Sequence, residues 1–247
     1  MGQGELVTSL RASRELTGAE VSHLLSLHQD HYDGVEPTRF RADLSEKHWV
    51  LCLQSPAGDP VVGFSTQKLL VLETVRGPVR FLFSGDTVIR REYWGSQALV
   101  AGWCRLAGRL LRQSPGIPLY WFLISKGHRT YRYLPLFFHS FYPRYDQPTP
   151  PELQELLDRV AGARYPGEYD PATGLLHPAG PHDRLRPELD TALQRERNRH
   201  VAFFLARNPG YREGTELACL AEIARGNMRR AALRELEVGL QDPTPLP

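Results

Sequence analysis

The chain has 247 residues, enough for one large domain or one and a half, and its 41% hydrophobic and 23% charged residues are ordinary for a globular protein. Its net charge of +2 comes from 30 basic and 28 acidic residues without a long basic block, which argues against nucleic-acid binding. No apolar run approaches the roughly 18 residues of a transmembrane helix, and the polar segment 1–14 lacks a signal-peptide core, so we expect a cytoplasmic protein without membrane attachment.

Neither the cysteines nor the histidines have a spacing typical of metal sites. The three cysteines are far apart and odd in number, so we expect them to fill the core rather than form a zinc site or a disulfide framework. His23, His28 and His31 lie near one face of the first predicted helix, but no carboxylate or cysteine accompanies them at a fixed spacing. We therefore interpret them as solvated side chains and predict no metal site.

Helices and then strands are predicted in the first third of the chain. Thr17 and Glu20 form a capping-box pair, and apolar residues then recur at helical spacing, which predicts a helix to about Tyr32. The segment 43–46 is expected to begin a short second helix. Three β-favouring segments follow, separated by turn signals, the first of them at 56–60. The predicted strands are 48–54, 61–73 and 79–90.

The third strand leads into the most informative stretch of the chain. A polar turn over 90–95 follows it, and apolar residues then recur at helical spacing as far as Leu111. The first N–H groups of such a helix have no intrahelical acceptor and lie at the positive end of the helix dipole. The strand, turn and helix therefore predict a phosphate-binding turn.

The segments after this helix predict a strand, a helix and a further strand. The apolar run 119–124 is expected to be a buried strand parallel to 79–90, because the helix between them supplies the crossover. A helix that ends early at Pro135 should follow, with 139–145 as the next strand.

The remainder of the chain has weaker signals. The expected elements are a helix over 151–162, an ordered loop over 163–187, a helix over 187–207, a strand over 216–223, a closing helix over 227–240 and a frayed tail. Because the strand over 216–223 should join the same sheet, we interpret residues 146–215 as an insertion rather than a second domain.

The predicted turn carries a family resemblance. The stretch 89–99 resembles the acyl-CoA-binding turn of the GCN5-related N-acetyltransferases, V-x-P-x-Y-R-G-x-G-x-G/A, with Ile89, Tyr93 and Gly95 at matching positions. The departures are Arg91 at the proline, Trp94 at the basic residue, and Gln97 and Leu99 at the second and third small residues. In that family, backbone N–H groups of the turn hold a pyrophosphate. The resemblance therefore implies acetyl-CoA or another acyl-CoA as co-substrate, although the side chains of Gln97 and Leu99 would crowd its approach.

The resemblance also implies cofactor-binding residues. They are Ile89, Arg90, Trp94, Gly95, Ser96 and Gln97. Four arginines near the turn could compensate for the missing glycines by holding phosphates with their side chains, or could be surface charges of an arginine-rich chain. They are Arg90, Arg91, Arg129 and Arg132.

A second partial match supplies catalytic candidates. The stretch 125–138 resembles the next helix of the family, N-x-x-A-x-x-L-Y-x-x-x-G-F, with Tyr133 at the tyrosine that faces the leaving thiolate. This implies Tyr133 as the general acid and Tyr131 as a weaker candidate, although a tyrosine also fills a core well. Asp86, a carboxylate within an apolar strand, is the candidate base. The alternative is a bulge at 85–87 whose aspartate bonds its own backbone.

The implied fold is α/β, a mixed and mostly antiparallel central sheet flanked by helices, in which two strands splay apart around the acyl-pantetheine. A single domain is expected, with its core over about 15–145 and 216–247 and an insertion over 146–215 that shapes the acceptor site. The implied function is an acyltransferase that moves an acyl group from acyl-CoA, or from an acyl carrier protein, to an amine or hydroxyl of a small molecule or peptide. The alternative is a degenerate protein of this fold without catalysis, acting as a ligand-binding or scaffold module.

Overall fold

A mixed sheet with helices on both faces organises the chain. The computed structural model describes residues 6–55, 60–180, 182–191 and 197–247. The strands are β1 (Val7–Ala12), β2 (Tyr32–Asp33), β3 (Trp49–Gln54), β4 (Val61–Thr74), β5 (Gly77–Ile89), β6 (Leu119–Ser125), β7 (Tyr169–Asp170), β8 (Leu175–Leu176), β9 (Arg184–Leu185) and β10 (Glu216–Glu222). The helices are α1 (Gly18–Gln29), α2 (Pro37–Ser45), α3 (Ala98–Gln113), α4 (His128–Tyr131), α5 (Tyr133–Phe137), α6 (Pro151–Arg164), α7 (Arg199–Arg207) and α8 (Arg230–Gln241).

The large sheet has eight strands in the order β1-β3-β4-β5-β6-β10-β8-β7, and β2 pairs with β9 separately. β5 and β6 run parallel, whereas the other neighbouring strands of the large sheet are antiparallel. Helix α3 lies between the two parallel strands in the sequence and provides the crossover that a parallel pair requires. The prediction of a mixed, mostly antiparallel sheet flanked by helices is therefore confirmed.

The side chains of the central strands alternate between two apolar layers, because successive residues of a strand point to opposite faces. Leu82 of β5 packs in one layer with Trp103 of α3 and Leu236 of α8. Phe83, the next residue, packs in the opposite layer with Val160 of α6. Helices α1 and α2 cover the β3 and β4 part of this second face. Burial on both faces explains the continuous apolar runs of the central strands.

The sequence signals do not predict the edge strand β1. It pairs antiparallel with β3, and the Thr8 hydroxyl donates to the carbonyl oxygen of Ala98 over 2.7 Å. Most of its residues are only half-buried, which is typical of an edge strand and leaves little apolar signal in the sequence. None of the helices in the described part of the chain has the length and apolarity that crossing a membrane requires.

The first helices begin at their caps. The predicted capping box is present at the start of α1. The prediction that a second helix begins within 43–46 is wrong, because α2 begins at Pro37 and residues 43–46 lie at its C-terminal end. Glu36 precedes α2, and its side chain accepts hydrogen bonds from two N–H groups of the first turn. Proline is favoured at the first helical position because the N–H it lacks would have no intrahelical acceptor there.

Two predicted elements between the central sheet and β10 differ from the structure. The described residues 139–145 form no strand; Tyr142 makes an isolated bridge to Leu220 of β10, and Pro143 has no N–H with which to continue the ladder. In the range 187–207 where a helix is predicted, the described residues form a short 3-10 helix at Pro187–Leu189 and then α7, which begins after the N-cap residue Asn198. Residues 192–196, and residues 56–59 of the first predicted turn, lie outside the described part of the chain.

The expected loop over 163–187 contains short strands. β7 and β8 extend the large sheet beyond β10, and β9 pairs with β2. After β9 the chain returns to the large sheet as β10, which pairs antiparallel with β6 and with β8. The division into a single domain with an insertion over 146–215 stays a prediction.

The tail is docked on the body of the protein, so the prediction that it is frayed is wrong. The Trp49 indole N–H donates to the carbonyl oxygen of Pro247 over 2.9 Å. Arg109 of α3 donates to the carbonyl oxygens of Thr244 and Pro245. Exposed proline-rich ends are ordered where such contacts tie them down.

Contact between α3 and α8 leads to a first prediction. A Cβ atom at Gly108 of α3 would overlap the carbonyl oxygen of Leu236, and one at Gly239 of α8 would overlap that of Arg105. We expect Gly108→Ala to lower the free energy of unfolding by about 1–3 kcal/mol, the usual cost of overpacking. The measurement is urea denaturation of the full chain.

Gly162→Ala is the matched control, because Gly162 also lies in a helix but a Cβ atom there meets nothing within 4 Å. It should raise the free energy of unfolding by about 0.5–1 kcal/mol through helix propensity. Equal effects of the two substitutions would contradict the close helix contact.

Candidate functional site

A gap opens in the sheet where β5 and β6 stop pairing. Their parallel register ends with Ser84 opposite Leu123. Beyond this point β5 continues along β4 as far as Ile89, and β6 continues along β10 to Ser125. Beyond Ser84, β5 stays with β4 and β6 stays with β10. The backbone and side chains at this end of the parallel pair therefore face an opening between β5 and β6.

A bulge in β5 distributes its polar side chains between the two faces of the sheet. Ser65 of β4 pairs with Thr87, and two residues later Gln67 pairs with Ser84, so β5 contains one extra residue between the two pairs. A bulge is therefore present within 85–87, and the role of Asp86 as a base stays a prediction. Ser84 and Thr87 line a cavity on the α3 face, whereas Asp86 lines a cavity on the face covered by α2 and α6.

The cavity on the α3 face, here called the apolar cleft, lies between the gap and the beginning of α3. Its apolar lining comes from α3, β6 and α5. The residues are Leu99, Val100, Trp103, Trp121, Leu123 and Phe137. Its apolar lining is suited to a mainly hydrocarbon chain.

The cavity on the opposite face, here called the acidic cavity, has a volume of about 170 Å³. Charged side chains line it from β5, from β10, from α2 and the residues flanking it, from the residue after β6, and from the segment between α6 and β10. The acidic residues are Glu36, Asp43, Asp86, Glu168, Asp183 and Glu216, and the basic residues are Arg39, Lys47 and Lys126, with His182 beside them. Carboxylates outnumber cationic side chains, so the cavity is suited to a ligand with positive charge.

The apolar cleft and the acidic cavity meet at two threonines. Thr87 follows the bulge of β5 and lines both cavities. Thr130, in α4 on the other side of the gap, also lines both. A ligand in each cavity could therefore meet through the gap between β5 and β6.

A largely buried ion pair lies in the wall of the acidic cavity. Lys126 Nζ lies 3.4 Å from Glu216 Oε1 and 5.2 Å from the centre of the Tyr32 ring. Burial raises the pKa of Glu216, although Lys126 opposes the shift. Burial by itself would lower the pKa of Lys126, but Glu216 and Tyr32 outweigh it and raise that pKa. Burial also raises the pKa of Tyr32 to about 12, so the lysine and the phenol both keep their protons at neutral pH.

His23 and His28 of α1, and His31 just after it, are bonded within the protein rather than solvated, so that interpretation is wrong. His28 is 1% exposed, and its Nε2 lies 2.8 Å from Asp183 Oδ2. His23 and His31 bond carbonyl oxygens of β4 and β5, Val61 and Ile89. Among the residues that the structure describes, no group of three or more side chains is arranged to hold a metal ion.

The turn between β5 and α3 is fixed by its tryptophan. The Trp94 indole N–H donates to the carbonyl oxygen of Ile89 over 2.8 Å. The guanidinium carbon of Arg129, from α4, lies 3.4 Å from the centre of the Trp94 ring. Gly95 has a φ of 104°, a left-handed conformation that favours glycine. The turn thus has a rigid ring, a stacked positive charge and a glycine immediately before the N-terminal turn of α3.

The remaining predicted cofactor residues lie around this turn. Gln97 is exposed, and its side chain donates to the carbonyl oxygen of Gly95 over 3.1 Å. Ser96 Oγ accepts from the N–H of Ala98 at the start of α3. Leu99, which departs from the motif, is 4% exposed and turns its side chain into the apolar cleft. Arg90 is half-buried beside the turn.

The structure separates the three catalytic candidates. Tyr133 is half-buried and lines the apolar cleft, and burial raises the pKa of its hydroxyl. Asp86 lies in the acidic cavity on the other side of the gap. Tyr131 is fully buried in the core, and its hydroxyl donates to the carbonyl oxygen of Pro143 over 2.8 Å. Only Tyr133 and Asp86 of these three line the described cavities.

Sequence reasoning missed several residues of the site. Thr87 stands next to Asp86 in the sequence, but only its cross-strand pairing with Ser65 shows that it faces the gap. Lys126 and Glu216 come from segments far apart in the chain that meet because β6 pairs with β10. The segment Gly85–Thr87 was the available signal, because a glycine and a polar pair within an apolar strand indicate a bulge.

Comparison with known proteins gives partial structural matches. No protein-family model and no curated protein matches this chain. A conserved protein of unknown function from Enterococcus faecalis, described as a probable N-acyltransferase, matches with a TM-score of 0.38 and 12% identity over 51% of this chain and 31% of that one. This chain thus spans less than a third of that protein.

Two further structures match a larger share of their own chains. An acetyltransferase of Trypanosoma brucei has a TM-score of 0.38 and 18% identity over 58% of this chain and 99% of that one. A GNAT family N-acetyltransferase of Escherichia coli, solved with CoA, has a TM-score of 0.34 and 11% identity over 51% of this chain and 67% of that one. The strand order of the present chain, its parallel β5 and β6 and the helix between them agree with the fold that the sequence resemblance implies.

The buried ion pair leads to a prediction on stability. We expect Lys126→Met to lower the free energy of unfolding by roughly 2 kcal/mol at pH 8, because it leaves the Glu216 carboxylate without its cation in a largely buried place. The deficit should shrink at pH 5. Lys126 opposes the rise that burial causes in the pKa of Glu216, so its removal raises this pKa further. The folded variant therefore gains more stability than wild type as the pH falls through that pKa.

Urea denaturation at the two pH values measures this difference. Lys68→Met is the control, because Lys68 pairs with the half-exposed Glu46 over 3.3 Å and should contribute less than about 1 kcal/mol at either pH. A Lys126→Met deficit that is independent of pH would contradict the assignment of the uncompensated charge to Glu216.

Proposed function

We propose that the protein is an acyltransferase that moves an acyl group from acyl-CoA to an amine. The observation that carries this proposal is the meeting of two unlike cavities, one apolar and one acidic, at Thr87 and Thr130 in the gap between β5 and β6. The apolar cleft would hold the acyl-pantetheine arm, and the acidic cavity would hold the acceptor. An acyl carbon and an amine nitrogen held on opposite sides of this gap would be close enough to react.

The beginning of α3 supports the binding of the CoA pyrophosphate. The N–H groups of its first turn have no intrahelical acceptor and attract anions. Gly95 places no side chain over the turn, and Gln97 folds back onto the carbonyl oxygen of Gly95. Arg129, stacked on Trp94, supplies a positive charge beside the turn. Leu99 faces the apolar cleft, where it would contact the pantetheine arm instead of crowding the phosphates.

Two of the predicted catalytic residues have suitable positions for the chemistry. The ammonium group of the acceptor would first lose a proton to Asp86 in the acidic cavity, directly or through water. The neutral amine nitrogen would then attack the thioester carbon and release its second proton to water. The carbon–sulfur bond then breaks, its electron pair leaves with the sulfur, and Tyr133 gives the thiolate a proton. Burial raises the pKa of Tyr133, so the phenol is protonated and able to donate at neutral pH.

The acidic cavity favours an amine over a hydroxyl acceptor. Asp86 forms no hydrogen bond or ion pair with another side chain of the described residues, whereas Glu216 and Asp183 are paired with Lys126 and His28. An ammonium group of a small molecule or peptide would provide the missing partner for Asp86. Several lining residues, including Glu168 and Asp183, belong to the segment 146–215. We therefore propose a single domain in which this insertion shapes the acceptor site.

A second candidate is a protein of this fold without catalysis that binds a ligand or acts as a scaffold. Gln97 and Leu99 favour it, because they stand where the motif has small residues. An acyltransferase that takes its acyl group from a carrier protein differs from this module by retaining transfer chemistry. Binding and turnover measurements separate an acyltransferase from the module without catalysis.

Thermal unfolding of the purified protein with CoA, acetyl-CoA and a longer acyl-CoA tests the donor. A ligand that binds only the folded state stabilises it by about 2.7 kcal/mol at a hundredfold excess over Kd. We expect a saturable rise in Tm with all three compounds, ranked by the acyl length that the cleft accepts. No rise with any of them would contradict an acyl-CoA donor and leave the carrier-protein donor and the non-catalytic module.

Tyr133→Phe tests the general acid. We expect at least tenfold slower release of CoA thiol from acetyl-CoA in the presence of a mixture of primary amines, because general acid catalysis contributes on the order of a hundredfold or more. The Kd of CoA should not change, since the substitution removes only the hydroxyl. Tyr131→Phe is the matched control; it removes a buried hydroxyl bonded to Pro143, so it should lower Tm with little effect on turnover. Equal turnover of Tyr133→Phe and wild type would remove Tyr133 from the mechanism.

A further inference from the structure

A continuous chain of buried polar side chains leads to Thr87 at the gap. The Trp121 indole N–H donates to Ser84 Oγ over 2.9 Å, and Ser84 Oγ donates to Gln67 Oε1 over 2.8 Å. Gln67 Nε2 donates to Ser65 Oγ over 2.8 Å. Ser65 Oγ lies 2.7 Å from Thr87 Oγ1. The four residues that lead to Thr87 in this series of hydrogen bonds are each at most 4% exposed.

Trp121, the first residue of this series, determines the donor and acceptor of each following hydrogen bond. An indole N–H only donates, so Ser84 Oγ accepts from Trp121 and retains its own proton for Gln67 Oε1. Because Gln67 Oε1 is the acceptor for this proton among the described side chains, the amide oxygen of Gln67 faces Ser84 and its nitrogen faces Ser65. Ser65 Oγ accepts this N–H, and among the described side chains the acceptor for its own proton is Thr87 Oγ1.

This direction of the hydrogen bonds leaves the hydroxyl proton of Thr87 available at the gap. If Thr87 donated to Ser65 instead, the buried Ser65 proton would have no acceptor among the described side chains, which is unfavourable. Thr87 therefore accepts from Ser65. Its own O–H belongs to a half-buried side chain that lines both the apolar cleft and the acidic cavity. A polar hydrogen held there by a rigid network is suited to a developing negative charge.

We propose that Thr87 is a catalytic residue whose hydroxyl donates to the carbonyl oxygen of the acyl thioester, and that Ser65, Gln67, Ser84 and Trp121 are positioning residues that fix its direction. This inference rests on the proposed transferase function. When the amine nitrogen forms its bond to the thioester carbon, the π pair of the carbonyl moves to oxygen. The Thr87 O–H stabilises this oxyanion until the pair returns, the carbon–sulfur bond breaks and the sulfur leaves with its electrons.

Two CoA derivatives that differ at this carbonyl test the proposal without knowledge of the acceptor. Acetyl-CoA has the carbonyl oxygen, whereas S-ethyl-CoA has a methylene in its place and is otherwise the same. We expect wild type to bind acetyl-CoA about fivefold more tightly in calorimetric titrations, the effect of one net hydrogen bond. Thr87→Val should bind both compounds equally, with the wild-type Kd for S-ethyl-CoA. Thr87→Ser, which keeps a hydroxyl, should retain the preference.

The positioning role is tested by the same ratio of dissociation constants. Ser65→Ala breaks the link to Thr87, so the preference for acetyl-CoA should fall towards that of Thr87→Val while S-ethyl-CoA binds as in wild type. Ser125→Ala is the matched control, because Ser125 is also buried but lies outside the network, and it should keep the full preference. An unchanged ratio in Ser65→Ala would overturn the positioning role.

The outcomes separate this inference from the proposed function. If wild type binds neither compound, the acyl-CoA function is wrong and the role of Thr87 falls with it. If wild type binds both compounds equally, or if Thr87→Val retains the preference, the donor site stands and only the role of Thr87 is overturned. The affinity for S-ethyl-CoA reports in every variant whether the site is folded.

Discussion

The end of the pairing between β5 and β6 determines where the candidate site lies. Their parallel register runs from Arg80 opposite Leu119 to Ser84 opposite Leu123, and each strand then remains with its antiparallel neighbour. Because neighbouring strands of a sheet are rotated relative to each other, two strands held by different partners separate once their own hydrogen bonds end. The backbone groups at this point are available to a ligand, and both cavities of the site border them.

The bulge in β5 gives the two sides of the gap different chemistry. Without the extra residue, strict alternation would place Ser84 and Thr87 on opposite faces. The bulge brings both to the α3 face, where they join the buried network, and leaves Asp86 on the other face among the acidic residues. The carboxylate of Asp86 and the hydroxyl of Thr87 thus lie close in sequence but face opposite sides of the sheet, an arrangement that suits the proposed transfer between two separately bound molecules.

Local signals predicted much of the fold, and the misses depend on contacts between distant segments. The capping box at Thr17, the apolar strand runs and the turn before α3 are properties of adjacent residues, and the structure contains them. His28 was interpreted as solvated because its partner, Asp183, is 155 residues away. The docking of Pro247 on Trp49 and the network to Thr87 likewise require the tertiary fold. A pattern along one segment carries no information on these partners.

The same limitation applies to the turn motif, and the structure changes how its departures are understood. Trp94 stands where the motif has a basic residue, and by sequence alone Arg129 is only one of four arginines that could supply positive charge near the turn. In the folded chain the indole N–H is fixed to Ile89, and the ring is a platform for the guanidinium of Arg129, a cation–π contact. Arg129 comes from α4, which follows β6 on the other side of the gap. The positive charge at the turn is therefore retained, but its position depends on the two diverging strands rather than on the turn itself.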